Sequence, residues 1–103
     1  MKCVIDDKRD LLIELCQRYR VAELDVFGSA VTDDFDEETS DIDFLVQFNE
    51  TVKQDRFDNF FNLLEELKRL FGRPVDLVEP GGLKNPYFIE MINETKRKIY
   101  ASS

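Results

Sequence analysis

The run Ile42-Asp43-Phe44-Leu45-Val46-Gln47-Phe48 constrains the fold more than any other part of the chain. Its middle is apolar at consecutive positions. In a strand successive side chains point to opposite faces, so both faces of this one need cover. Such a strand belongs inside a sheet, with a neighbour on either side and helices packed against it. The 103 residues around it match the size of one domain with a thin core, and residues 1–103 are expected to form that single unit.

The flanking sequence supplies the cover. Leu12, Leu15, Cys16 and Tyr19 repeat at helical spacing and predict a helix from about Lys8 to Arg20. Leu24-Asp25-Val26-Phe27 reads as a short strand ending at Gly28, Ser29 to Thr32 as one helical turn, and Asp33 to Ser40 as a polar loop. Phe57, Phe60, Phe61, Leu64, Leu67 and Phe71 mark a long amphipathic helix closed by Gly72 and Pro74. Val75-Asp76-Leu77-Val78 is a third strand and Pro80-Gly81-Gly82 a turn. Asn85-Pro86 has the pattern of an N-cap followed by proline at the first helical position, opening a last helix with Phe88, Met91, Ile92 and Thr95 on its stripe. The order helix, strand, strand, helix, strand, helix predicts an α/β (α+β) domain, a small mixed β-sheet flanked by helices.

Charge narrows the chemistry. Lys and Arg number 14, Asp and Glu 22, and histidine is absent, so the net charge is −8. Without histidine there is no Ser-His-Asp triad, no Cys-His dyad and no histidine-held zinc. The acid excess argues against duplex nucleic acid, which needs clustered cations, but not against a nucleotide carried in with a metal ion. Cys3 and Cys16 are too few for a disulfide framework, and Cys16 falls on the apolar face of its helix. Val4-Ile5 runs at once into Asp6-Asp7, unlike a signal peptide. No apolar run approaches the ~20 residues that span a bilayer. The expectation is a cytoplasmic protein with no membrane partner.

The acids are concentrated. Between Arg20 and Lys53 there are ten of them and no basic residue. Three groups within or beyond that interval carry candidate chemistry. Gly28-Ser29 ends a strand, where glycine permits a sharp turn and a following helical turn would present free N–H groups to phosphate; an ordinary strand-ending turn has the same sequence. Asp41 and Asp43 share one face of a strand, with Cα atoms ~6.6 Å apart. They suit a hard cation such as Mg²⁺, which takes oxygen ligands, or are simply solvated acids at a strand start. Asp76 stands between Val75 and Leu77; a charge inside an apolar strand needs a reason, either a wet edge face, a third metal ligand or a general base. Phe35, alone among the loop acids, either folds back to pin the loop, or stacks on a base or touches a partner.

Taken together, Phe27-Gly28-Ser29, then after eleven residues Asp41-Ile42-Asp43, then Val75-Asp76-Leu77-Val78, resemble the polymerase-beta-like nucleotidyltransferases. Within these the chain is most similar to the minimal nucleotidyltransferase (MNT) group. The resemblance implies that Gly28 and Ser29 hold the nucleoside triphosphate. It implies that Asp41 and Asp43 bind two Mg²⁺ ions, and that Asp76 completes the metal-binding carboxylate triad and helps activate the attacking hydroxyl. One departure stands out: Thr32 and Asp33 occupy the places where the family often has an Arg-Gly pair, which removes a cation from the triphosphate. A catalytic domain of this size must borrow its acceptor surface from a second copy of itself or from another protein. Similar MNT proteins act as antitoxins beside a HEPN-type ribonuclease toxin, moving AMP from ATP to a toxin tyrosine, and the same is expected here. A contact-only binding module and an adenylyltransferase of small molecules are the alternatives.

Overall fold

The computed structural model describes residues 6–28, 41–49 and 53–102. A 3-10 turn over Asp6–Lys8 leads into helix α1 (Arg9–Arg18) and strand β1 (Val21–Phe27). Strand β2 (Ile42–Phe48), helix α2 (Lys53–Phe71) and strand β3 (Val75–Val78) follow. A 3-10 turn over Pro80–Gly82, helix α3 (Pro86–Thr95) and strand β4 (Arg97–Ala101) complete the described order. The strands form one sheet in the order β3-β2-β1-β4. β2 is an inner strand, antiparallel to β1 and parallel to β3, as its two apolar faces require.

Register sorts the side chains. Leu24 lies opposite Val46, Val26 opposite Phe44, Ile42 opposite Val75 and Phe44 opposite Leu77. All of these are buried, and with Leu12, Leu15 and Cys16 of α1 and Leu63 and Leu67 of α2 they form one apolar core. Burial of this interlocking set is the main force holding both helices to the sheet. The alternate residues, Asp25, Phe27, Asp43, Leu45 and Asp76, face the other way. There α3 covers part of the sheet, with the ring of Phe88 edge-on to Phe27 at 5.9 Å between centroids. Cys16 is a core residue, as its spacing implies, and burial pushes its thiol pKa up to about 12.

Local signals explain the boundaries. The Asn85 Oδ1 accepts a 2.9 Å hydrogen bond from the Tyr87 N–H, capping α3 ahead of Pro86. Gly72, at φ +62°, ends α2 with its N–H donating to the Lys68 carbonyl at 2.9 Å. β1 starts at Val21, ahead of the expected Leu24, because Glu23 can pair with Gln47 through its backbone whatever its side chain. β4 is absent from the sequence expectation. Its Arg97 and Lys98 give it little strand character, and pairing with β1 fixes it instead. The Ser102 N–H extends that seam to the Ala22 carbonyl at 2.7 Å. Among the described residues no helix is long and apolar enough to cross a membrane.

Candidate active site

The site is built where β1 ends and β2 and β3 begin. Phe27 is opposite Asp43 in the antiparallel ladder, and Asp43 is opposite Asp76 in the parallel one. Residues directly opposite share a face. The topology therefore puts the Asp43 and Asp76 carboxylates side by side, and the β1 chain turns away beside them at Gly28. That turn has φ +73°, and a Cβ on Gly28 would lie only 2.8 Å from Asp43 Oδ2. The left-handed backbone favours glycine there, and any side chain would also push the Asp43 carboxylate aside.

Asp43 is half-buried, whereas Asp41 and Asp76 are exposed. Burial first, then a hydrogen bond shared with the Asp76 carboxyl and repulsion from Asp76 and Asp41, push the Asp43 pKa up from 3.8 to about 6. A carboxylate crowded in this way by other acids is a place where a cation would relieve the repulsion. All three groups offer hard oxygen donors, which fit a divalent ion such as Mg²⁺ in kind. Among the described residues no three acids close to metal-coordinating distance; the formed element is the Asp43–Asp76 pair, with Asp41 at the mouth of β2. Ser29, Thr32, Asp33, Phe35 and the rest of the acidic loop lie outside the described residues.

Two features of this face were not anticipated. The Gly28 N–H donates to Thr95 Oγ1 at 3.0 Å, and that hydroxyl donates to the Met91 carbonyl at 2.8 Å. Thr95 is the last residue of α3, so the end of that helix holds the glycine turn. The second is Asp25, whose side chain is 6% exposed and lies 3.1 Å from Lys98 Nζ on β4, which also reaches Glu23 at 3.3 Å. The signal for Asp25 was present: it is a charge inside an apolar strand, as Asp76 is. Its reason is an ion pair across the β1–β4 seam. Burial alone would lower the Lys98 pKa, but its bonds to Asp25 and Glu23 hold it above the ordinary lysine range.

A nucleotidyltransferase domain model matches residues 8–99. The chain belongs to this nucleotidyltransferase family. Its relatives include the protein adenylyltransferase MntA of Thermococcus cleftensis, 42% identical over 72 residues that cover 70% of this chain and 69% of that one. A solved structure of a candidate minimal nucleotidyltransferase superposes with a TM-score of 0.72 at 29% identity, covering 90% of each chain. A solved complex of a tri-AMPylated Shewanella oneidensis HEPN toxin with an MNT antitoxin matches with a TM-score of 0.64 over 94% of this chain and 72% of that one. Its 16% identity makes that a likeness of fold. The nucleotidyltransferase is thus a minimal one of the MntA group, and the mixed four-stranded sheet with three helices among the described residues is the polymerase-beta-like fold that the residues around Gly28, Asp43 and Asp76 resemble.

Proposed function

We propose that this nucleotidyltransferase is an antitoxin that transfers AMP from ATP to a tyrosine hydroxyl of a cognate HEPN-type toxin. The observation that carries the proposal is the register that sets Asp43 beside Asp76 at the Gly28 turn. An MntA relative named as a protein adenylyltransferase and an MNT antitoxin solved with an AMPylated HEPN toxin support the choice of acceptor.

In the reaction the phenol oxygen bonds to the α-phosphorus of ATP, the bond from that phosphorus to the α,β-bridging oxygen breaks, and pyrophosphate leaves. Gly28 and Ser29 hold the triphosphate, Gly28 by offering backbone with no Cβ in the way. Asp41 and Asp43 would hold the two Mg²⁺ ions, whose contribution there would be to offset the phosphate charge and lower the pKa of the attacking hydroxyl. Asp76, on the outer side of Asp43, completes the ligand set and receives the acceptor proton. The chain's own contribution is chiefly placement, because fixing the two reactants replaces a bimolecular encounter with a local one.

A contact-only antitoxin is the second reading. It is favoured by Thr32 and Asp33 in the Arg-Gly places and by the open arrangement of the three acids. Co-expression with a cognate HEPN-type toxin separates the two. Intact-mass spectrometry after incubation with ATP and Mg²⁺ should show the toxin heavier by one or more adenylyl groups, and unchanged with Asp43→Asn. A stable complex whose toxin never gains that mass establishes the contact-only reading instead.

A further inference from the structure

We infer that Thr95 is a positioning residue for nucleotide binding, acting through the backbone of Gly28. The inference rests on the proposed assignment of Gly28 to the triphosphate. What Thr95 holds is the turn beside Asp43 and Asp76.

The geometry leaves the Gly28 peptide little freedom. On one side the glycine abuts Asp43, where even a methyl group would come within 2.8 Å of Oδ2. On the other its N–H is taken by Thr95 Oγ1 at 3.0 Å. The Thr95 hydroxyl has one proton, and it points to the Met91 carbonyl one turn back along α3 at 2.8 Å. A hydroxyl so committed presents a lone pair to its other neighbour. Thr95 therefore acts at Gly28 only as an acceptor, and the peptide plane at the turn is fixed with its N–H toward α3.

A second contact shows that α3 is docked on this strand end in earnest. Phe88 packs edge-on to Phe27, the residue before Gly28. Phe88 and Thr95 are seven residues apart, two turns of helix, so they lie on the same face of α3. One face of one helix thus grips two consecutive residues at the end of β1, one through a ring and one through a hydroxyl. The chain then passes straight into β4, whose Arg97 pairs with Val26 of the same strand. The Gly28 turn is held from the side, by residues remote in sequence, and its place relative to Asp43 is set before any ligand arrives. Loss of the hydroxyl would leave a part-buried N–H without its partner and release the turn.

The test compares Thr95→Val, which keeps the branched shape and removes the hydroxyl, with Thr95→Ser, which keeps the hydroxyl. The four glycines make selective ¹⁵N-glycine labelling a direct probe of Gly28. Amide hydrogen exchange at Gly28 should speed up about tenfold in Thr95→Val and stay near wild type in Thr95→Ser. Titration with ATP and Mg²⁺ should show affinity weakened about tenfold by Val and restored by Ser, with both variants melting cooperatively. Thr95→Ala replaces Val if the latter does not fold. Faster exchange at Gly28 with unchanged ATP affinity overturns the inference, leaving Thr95 a structural residue. Unchanged exchange overturns it at the level of geometry. A wild-type protein that binds no ATP overturns the proposed function and the role of Thr95 with it, and that result is read before any variant is compared.

Discussion

Gly28 and Asp43 stand so close that a Cβ on the glycine would lie 2.8 Å from Asp43 Oδ2 and press on that carboxylate. The turn that ends β1 and the acid that opens β2 are therefore one structural unit. Gly28→Ala should lower stability by about 1–3 kcal/mol, from the left-handed backbone as well as the clash. In an Asp43→Ala background the same change should cost less, because only the backbone strain remains. A double-mutant cycle of urea denaturations measures the coupling; additive costs would show that the carboxylate swings aside freely.

Asp43→Asn should abolish transfer and raise stability in EDTA. The wild-type carboxyl titrates at about 6 when folded against 3.8 ordinarily. The folded chain thus binds the proton more tightly, and the stability this group confers is full below about pH 3.8 and lost as pH rises through 6. The Asn advantage should accordingly be absent at pH 3.5, grow across that window and level off above it. Discounted for the half-exposed position of the group, the gain at pH 7.5 is about 1 kcal/mol, or roughly 4–8 °C in Tm. Thermal melts at several pH values decide it, and a variant less stable than wild type at pH 7.5 would contradict the repulsion.

Asp76→Asn should reduce kcat by at least about 100-fold while changing ATP affinity much less, because its proposed place is at the attacking oxygen. Single-turnover kinetics on the toxin complex, set beside equilibrium ATP binding, separate the two. Lost affinity with normal turnover would move Asp76 to the nucleotide side.

Lys98→Met should destabilise the fold by about 2 kcal/mol, since it strands the buried Asp25 carboxylate. Asp25→Asn should restore most of that loss in the Lys98→Met background, which chemical denaturation of the four proteins would reveal. The pair lies on the β1–β4 seam, away from Asp76, so transfer by the folded fraction should be little altered.

The residues most legible in the sequence were those whose pattern is local. The consecutive apolar run of β2, the stripes of α1 and α2, and the Asn85-Pro86 cap each follow from side chains within a few positions of one another. Asp43 and Asp76 stood out in the sequence as candidates, but their adjacency is a property of strand order: it depends on β3 joining β2 in parallel after a 19-residue helix. Asp25 carried the same signal as Asp76 and had a different cause, because its partner Lys98 sits on a strand that pairing creates and composition hides. Thr95 read as one more position on an apolar stripe. Nothing local distinguishes a threonine that fills space from one whose hydroxyl holds a glycine 67 residues away.

The position of β3 has a bearing on solubility as well as on chemistry. Among the described residues β3 has a partner on one side only, so its outer edge offers unpaired backbone of the kind that recruits foreign strands. It is four residues long and carries Asp76 in its middle, and a short edge with a charge at its centre is a poor template for growth. The acid proposed to serve the acceptor hydroxyl thus also places a charge where a foreign strand would have to add.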